Sequence, residues 1–327
     1  MRRTCKDAIQ TVSGSISTEL LGYCQCHEHL FIAKGKSYEL HPALWMDDLS
    51  ASTDELMLYK AAGGCSIVDA QPVGCGRMTE YLAKASLDSG VNIIASTGFH
   101  KLIFYDREHW IYKLNEDVLT QVFINELENG MYTDVDKKLP SLSISTKAGI
   151  IKTAVDSFGI KKDYVRLFNA AANASLETGA PLMCHIEKEA DAFEVYEFFI
   201  NRKIMPESLI FCHLDRAKYD IGYHRELAGT GVYLEYDTIA RFKYHSNEME
   251  IRLIHEMINS GFEDRILLGL DTTRERLTSY GSCIGLDYIK KSFIPLMQQL
   301  CISGSAIDKM TIENPKKALA WKCKNTK

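Results

Sequence analysis

Eight short runs of apolar and β-branched residues alternate with longer helical patterns along the chain. Strands that alternate with helices form parallel βα units, and eight such units are the number that closes into a barrel. The predicted strands cover residues 22–30, 66–70, 91–97, 149–152, 181–186, 208–213, 231–236 and 265–271. The sequence therefore predicts an α/β fold of the (β/α)8 TIM-barrel type, whereas fewer units in an open sheet would give a doubly wound fold.

Four helices are predicted between these runs, at residues 115–129, 163–178, 190–202 and 247–259. Asn115 and Asp163 are expected to cap the first two, which stop before glycines. The gap between the third and fourth strands is too long for a simple connection and predicts an insertion at about residues 100–147, which we expect to build part of an active-site wall. Since no repeat or Pro- or Ser-rich linker divides the chain, residues 1–327 are predicted to form one domain.

Composition narrows the class of protein. Hydrophobic residues make up 46% and charged residues 25% of the chain, which excludes intrinsic disorder. The net charge of −5 argues against a nucleic-acid partner. No apolar run approaches the roughly 18 residues of a membrane span, and the charged N-terminus does not resemble a signal peptide. The ten cysteines form no CxxC pair and indicate reduced thiols. We therefore expect a cytoplasmic protein with a small-molecule partner.

Chemically reactive side chains cluster at the ends of the predicted strands. The C-terminal ends of barrel strands meet at one mouth, so these side chains are expected to converge there. Imidazole and carboxylate ligands suit zinc and similar divalent ions, which predicts a metal centre. A structural zinc site made from the Cys24–His29 segment is disfavoured, because alternating strand residues cannot converge on one ion. The candidate ligands are His27, His29, His185, His213 and Asp271.

A cysteine precedes three of these histidines, at Cys26, Cys184 and Cys212. Successive side chains of a strand point to opposite faces. If the imidazoles point into the barrel mouth, strict alternation predicts that the three thiols point outward, toward the helices.

Lys152 closes the fourth strand, after the apolar run 148–151. Burial at the barrel mouth would lower its pKa and favour the neutral amine, which can react with CO2 to form a carbamate. The carbamate is an anionic ligand with two oxygens that can bridge two metal ions. The alternative is a lysine that is salt-bridged inside the mouth or that extends to solvent. The residues alone leave both interpretations open.

An ordered set of motifs resembles the phosphotriesterase family of the amidohydrolase superfamily over nearly the whole chain. The His-x-His motif alone is weak, and the full set in the family's order is specific. The matching segments are Gly22 with His27-Glu28-His29-Leu30, Ile67-Val68-Asp69, Gly74-Cys75-Gly76-Arg77, Thr97-Gly98, Ala148-Gly149-Ile150-Ile151-Lys152, Thr178-Gly179-Ala180-Pro181 with His185, Cys212-His213-Leu214-Asp215, Leu268-Gly269-Leu270-Asp271 and Glu313-Asn314-Pro315.

The resemblance implies a barrel with two divalent metal ions, usually zinc. It assigns His27, His29 and Asp271 to the more buried ion, and His185 and His213 to the other. Lys152 matches the carboxylated lysine (N6-carboxylation) that bridges both ions. A bridging hydroxide then attacks the substrate, and Asp271 acts as the catalytic residue that takes the proton and passes it to the leaving group. Relatives are often homodimers, which makes a homodimer the expectation here.

The resemblance also covers several substrate classes, because the family includes organophosphate hydrolases, lactonases and enzymes acting on phosphorylated sugar lactones. The segment from Asp271 to Gly281 resembles the last branch, and basic residues follow several strands, which suits an anionic substrate. The candidates for binding a phosphate are Arg216, Lys243, Arg274 and Tyr280. The expected activity is a zinc-dependent lactonase that opens phosphorylated aldonolactones. The alternatives are a phosphotriesterase-like hydrolase of unphosphorylated lactones or organophosphate esters, and a catalytically silent barrel.

Overall fold

Eight parallel strands form one sheet, and their order in space follows their order in the chain. We describe residues 8–217 and 220–322 of a computed structural model. An antiparallel hairpin, β1 (Ala8–Thr11) and β2 (Gly14–Ser17), precedes the sheet. The parallel strands are β3 (Cys24–Glu28), β4 (Ser66–Asp69), β5 (Asn92–Gly98), β6 (Ile150–Val155), β7 (Leu182–Ile186), β8 (Leu209–Cys212), β9 (Tyr233–Tyr236) and β10 (Ile266–Leu268). The predicted TIM-barrel architecture is confirmed.

The seam between the first and last parallel strands, β3 and β10, nearly closes the barrel. The amide of Asp271 donates to the carbonyl of His27 at 2.9 Å. The buried Glu28 carboxyl accepts from the amide of Leu270 at 2.8 Å. Gly269 permits this approach, because a Cβ there would lie 3.0 Å from the backbone of His27. Two predicted metal ligands, His27 and Asp271, therefore join the two ends of the sheet.

Helices cover the outside of the sheet between successive strands. They are α1 (Lys36–Leu40), α2 (Leu49–Ala61), α3 (Thr79–Ser89), α4 (Glu116–Glu128), α5 (Asp163–Thr178), α6 (Ala192–Ile200), α7 (Leu214–Ala217), α8 (Ile221–Gly229), α9 (Asn247–Asn259), α10 (Ile294–Gln299), α11 (Gly304–Asp308) and α12 (Asn314–Leu319). The Asn115 side chain caps α4 as predicted, by accepting from the amide of Val118. The predicted cap at Asp163 is wrong, because Lys162 precedes the first turn of α5 with a φ of 52° and no side-chain cap. None of the described helices combines the length and the apolar character that a membrane span requires.

The insertion between β5 and β6 contains α4 and irregular segments. A buried ion pair fixes it to the barrel, because Arg77 contacts Glu126 of α4 at 2.5 Å. The same carboxylate accepts from the amide of Tyr132, which holds the segment after α4. That the whole chain is one domain stays a prediction.

The interior of the barrel is filled by side chains from all eight parallel strands, among them Cys24, Cys26 and Cys212. The prediction that the thiols of Cys26 and Cys212 point outward is therefore wrong. The register of β3 shifts between Gln25 and Glu28, which breaks strict alternation. His213 follows the end of β8 with a φ of 62°, so that it does not alternate with Cys212. Cys184 packs in the apolar cluster between the sheet and the helices, as predicted.

Candidate metal centre

The six predicted metal ligands line one cavity at the C-terminal mouth of the barrel. This cavity has a volume of about 440 Å³. Five of the ligand side chains lie at or just after the ends of their strands, which is the usual construction of a site in this fold. Lys152 does not close its strand as predicted, because β6 continues to Val155. They are His27, His29, Lys152, His185, His213 and Asp271.

His27, His29 and Asp271 form the tightest group of these side chains. One ligand atom from each lies within 4.8 Å of the others. Asp271 Oδ1 is 3.4 Å from His29 Nε2 and 4.0 Å from His27 Nε2. Asp271 has a left-handed backbone, with a φ of 49°, which is uncommon for a residue other than glycine. The chain therefore accepts an unfavourable conformation at the residue that faces both imidazoles.

His185 and His213 form a second group beside the first. Their ring centres lie 4.5 Å apart, and the His213 ring centre is 4.8 Å from that of His27. His185 lies in β7 and His213 follows the neighbouring strand β8, whereas His27 comes from β3, which is adjacent to neither.

Two buried carboxyl groups hold the imidazoles in place. Glu235 Oε2 lies 2.7 Å from His27 Nδ1, and Asp237 Oδ1 lies 2.6 Å from His213 Nδ1. An acceptor on Nδ1 places the ring proton there and leaves Nε2 with a free lone pair, as metal binding requires. Glu235 and Asp237 are not among the residues predicted for the site, although their spacing of two positions at the end of β9 indicates a shared face.

The imidazole groups and the Asp271 carboxylate have the protonation states that metal ligands require. Burial lowers the pKa of His27 and His213 well below the usual value, with Lys152 adding to the effect on His27 and Arg216 to that on His213. Burial also lowers the pKa of His185 to about 3. Burial opposes ionisation of Asp271, but Arg241 and the imidazole groups hold its pKa well below the usual value. Neutral imidazoles and an ionised carboxylate are the forms that bind divalent ions, so these residues fit such a centre.

Lys152 is 1% exposed, and it forms no ion pair with the described carboxylates. Its Nζ lies 3.2 Å from His27 Nε2, 3.7 Å from Met183 Sδ and 3.9 Å from Cys212 Sγ. No carboxylate oxygen of the described residues comes within 4.0 Å of it. The structure therefore shows neither the salt bridge nor the solvent exposure that the alternative interpretation of Lys152 requires.

Positively charged side chains occupy one side of the cavity. Arg216 and Lys243, two of the predicted phosphate-binding residues, line it. Arg241 lines it as well and contacts Asp271 Oδ2 through Nη2 at 2.9 Å. Arg241 is not among the residues predicted for the site, because no local sequence pattern reports a partner thirty residues away.

The other two predicted phosphate-binding residues do not line this cavity. The Arg274 guanidinium lies over the aromatic rings of Trp45 and Tyr280, at 5.2 and 5.5 Å from the ring centres. The Tyr280 hydroxyl is 2.9 Å from Ser52 Oγ. Their neighbours Thr273 and Glu275 do reach the cavity, so the loop after β10 forms part of its rim. A phosphate-binding role for Arg274 and Tyr280 stays a prediction.

A lysine–glutamate pair lies on the side of the cavity formed by β5 and β7. Lys101 bonds to Glu187 Oε2, which also lies 3.5 Å from His185 Nε2. Phe104 and His100 stack beside it, with ring centres 4.3 Å apart. The cavity wall therefore carries hydrogen-bonding groups in addition to the arginines.

Comparisons with known proteins agree with this geometry. The sequence pattern of the Phosphotriesterase family matches residues 7–319. The phospho-furanose lactonase of Mycoplasmopsis synoviae (strain 53) is 31% identical over 323 residues, which cover 95% of this chain and 91% of the relative. The N-acetyltaurine hydrolase of Xenopus tropicalis is 29% identical over 357 residues, covering 96% and 98% of the two chains. The crystal structure of an amidohydrolase from Mycoplasma synoviae superposes with a TM-score of 0.93 at 30% identity, covering 98% of this chain and 94% of that one.

Proposed function

Because this chain belongs to the phosphotriesterase family of hydrolases, we propose that it is a metal-dependent lactonase that opens phosphorylated sugar lactones. The observation that carries the proposal is one cavity lined both by all six predicted metal ligands and by the cations Arg216, Arg241 and Lys243. A similar chain named a phospho-furanose lactonase supports the choice of substrate. A phosphate on the substrate suits these cations.

His27, His29 and Asp271 would hold one divalent ion, and His185 and His213 a second, with zinc as the expected metal. Lys152, carboxylated at Nζ, would link the two, since its amine is buried and forms no ion pair with the described carboxylates. When bound, such ions lower the pKa of a coordinated water and polarise an ester carbonyl.

Asp271 supplies the acid–base function in this proposal. Its carboxylate takes the proton that the attacking water loses and delivers it to the ring oxygen as the ester bond breaks. Glu235 and Asp237 keep the imidazole rings of His27 and His213 in fixed orientations through their Nδ1 atoms. Lys243, exposed on the outer wall, is placed to meet the anionic end of a substrate.

A second candidate function is the hydrolysis of unphosphorylated lactones or neutral organophosphate esters. Apolar side chains favour it, because Leu44, Phe104, Phe242 and Ile284 also line the cavity. A catalytically silent barrel is disfavoured by the complete ligand set. A cytoplasmic location and a homodimeric state stay predictions from the sequence.

A hydrolysis screen tests the proposed function. Purified protein is loaded with zinc, supplied with bicarbonate and assayed on pentono- and hexonolactones, on their terminal phosphate esters and on one neutral phosphotriester. We expect kcat/KM to be higher for the phosphorylated lactones by roughly tenfold or more, because charge-assisted bonds to phosphate add binding energy. Equal or faster turnover of plain lactones or of the triester would support the second candidate instead.

A pair of variants locates the phosphate. Lys243→Met is expected to raise KM for phosphorylated lactones roughly tenfold and to leave unphosphorylated ones within about twofold, since one ionic contact is lost. Arg274→Met, compared under identical conditions, reports whether the residue stacked on Trp45 and Tyr280 also reaches the phosphate. A similar loss on both types of lactone in either variant would count against phosphate recognition by that residue.

A further inference from the structure

Two arginines of the cavity wall act directly on the candidate metal ligands. Arg241 Nη2 lies 2.9 Å from Asp271 Oδ2 and also bonds to the Asp271 carbonyl. Arg216 lines the same cavity as His213 and His185, and its charge adds to burial in lowering the pKa of both imidazoles. A third arginine, Arg276, uses its Nη1 and Nη2 atoms to bind backbone carbonyls of the neighbouring loops. Backbone carbonyls therefore hold both terminal nitrogens of Arg276, although its Nε also lacks a partner, and Arg241 is the arginine that contacts the Asp271 carboxylate.

Arg216 and Arg241 both have buried N–H donors that lack an acceptor. Arg216 Nε and Nη2 and Arg241 Nε have no hydrogen-bond partner among the described residues. A buried N–H group that lacks an acceptor destabilises the protein unless a ligand supplies one. Arg216 lies in the short helix α7 after β8 and Arg241 in the loop after β9, and both residues line the cavity. An anionic oxygen bound between them would satisfy donors from both.

The cavity thus has an inner and an outer set of cations. The inner set, Arg216 and Arg241, lies against the ligand side chains, and the Arg241 side chain is only 12% exposed. The outer cation Lys243 is exposed, and its amine lies over the Tyr244 ring at 4.8 Å. The outer cation suits an anionic group carried by the substrate. The inner pair lines the part of the cavity where the ester bond of the substrate would break.

Opening an ester creates negative charge on the oxygen atoms of the reacting group. Water adds to the carbonyl carbon, the bond from that carbon to the ring oxygen breaks, and the ring oxygen gains a proton. The carboxylic acid formed then loses a proton at neutral pH, so that a neutral lactone group becomes a carboxylate and one proton is released. We propose that Arg241, assisted by Arg216, binds the carbonyl oxygen as it becomes negative and then the product carboxylate, which makes Arg241 a catalytic residue.

The loop that carries Arg241 is fixed before substrate binds. The Thr238 amide and hydroxyl both donate to Asp215 Oδ2 at 2.6 Å, and the same hydroxyl lies 2.8 Å from His245 Nε2. The Arg241 amide donates to the Thr238 carbonyl at 2.9 Å, and the Tyr244 amide to the Arg241 carbonyl at 2.8 Å. Donors held rigidly where charge develops stabilise a transition state most effectively. The inference rests on the proposed ester-opening activity, but it does not depend on a phosphate.

The test compares Arg241→Met and Arg241→Lys with Arg252→Met, a matched change at an exposed position of α9. Substrates are a pentonolactone and its 5-phosphate, and the pentonate made by alkaline opening serves as the product probe. For Arg241→Met we expect kcat to fall by roughly 10²- to 10³-fold on both lactones, as when an oxyanion donor is removed. The dissociation constant of the pentonate, measured by calorimetry, should rise by roughly tenfold or more. Arg241→Lys should recover part of both losses, and Arg252→Met should match the unmodified protein.

Metal content, measured on each variant, separates this role from a structural one. We expect Arg241→Met to bind as much metal as the unmodified protein. A fall in kcat that follows a loss of metal would mean that Arg241 only holds Asp271, and a fall limited to the phosphorylated lactone would make it a phosphate ligand. Either result overturns the inference, as does unchanged pentonate affinity. If the unmodified protein opens no lactone, the proposed function fails, and calorimetry alone decides whether pentonate binding depends on Arg241.

Discussion

Replacing Asp271 by asparagine is expected to lower kcat by roughly 10²- to 10⁴-fold on every substrate. The amide keeps the size of the carboxylate and one oxygen for the imidazole side of the site, but it cannot accept a proton. In the structure Oδ1 faces His29 and His27, and Oδ2 faces Arg241, so the carboxylate lies between the candidate ligands and the inner arginine. The measurement is kcat and bound metal for Asp271→Asn, purified alongside unmodified protein.

Asp308→Asn is the matched control, since Asp308 is exposed at the end of α11. It should keep full activity. Turnover near normal in Asp271→Asn, with metal retained, would remove Asp271 from the acid–base role and leave it as a ligand only.

Replacing Lys152 by methionine is expected to have opposite effects on stability with and without metal. In metal-free protein without bicarbonate, the free energy of unfolding should rise by roughly 1–3 kcal/mol, because a buried amine without a direct ion pair among the described residues is replaced by an apolar side chain of similar length. In the presence of zinc and bicarbonate the order should reverse. A ligand present at 1,000 times its dissociation constant stabilises the native state by about 4 kcal/mol, and the variant loses the ligand that Lys152 supplies.

Urea unfolding of both proteins, with and without zinc and bicarbonate, measures these effects. Lys84→Met is the control, because Lys84 pairs with Asp88 on the surface of α3. Equal zinc stabilisation of Lys152→Met and unmodified protein would rule out Lys152 as a metal ligand. A lower stability of the metal-free variant would mean that the amine is better accommodated among Met183, Cys212 and His27 than its contacts indicate.

The parts of the structure that depend on local pattern were predictable from the sequence. The eight strands follow from the pattern of apolar residues along the chain. The N-cap of α4 follows from Asn115. The barrel topology brings strand ends together, so six residues scattered from His27 to Asp271 could be assigned to one mouth. That they bind metal stays a prediction.

The remaining features depend on contacts between distant segments. Glu235 and Asp237 contribute through the Nδ1 atoms of His27 and His213, which no local pattern reports. The inward direction of Cys26 results from the register shift in β3, which one strand's sequence cannot show. Arg241 has a place in the site only through its contact with Asp271.

The seam has a consequence for how the protein is made on the ribosome. His27 lies near the start of the chain, and its seam partner Asp271 emerges only after all eight parallel strands have been synthesised, because β10 is the last of them. Contacts between residues so far apart in sequence form late and slowly. A nascent chain therefore exposes the edge of β3 and an incomplete set of candidate ligands until Asp271 has been synthesised. The candidate metal centre cannot be assembled before the last parallel strand is present, although α10, α11 and α12 are still to follow.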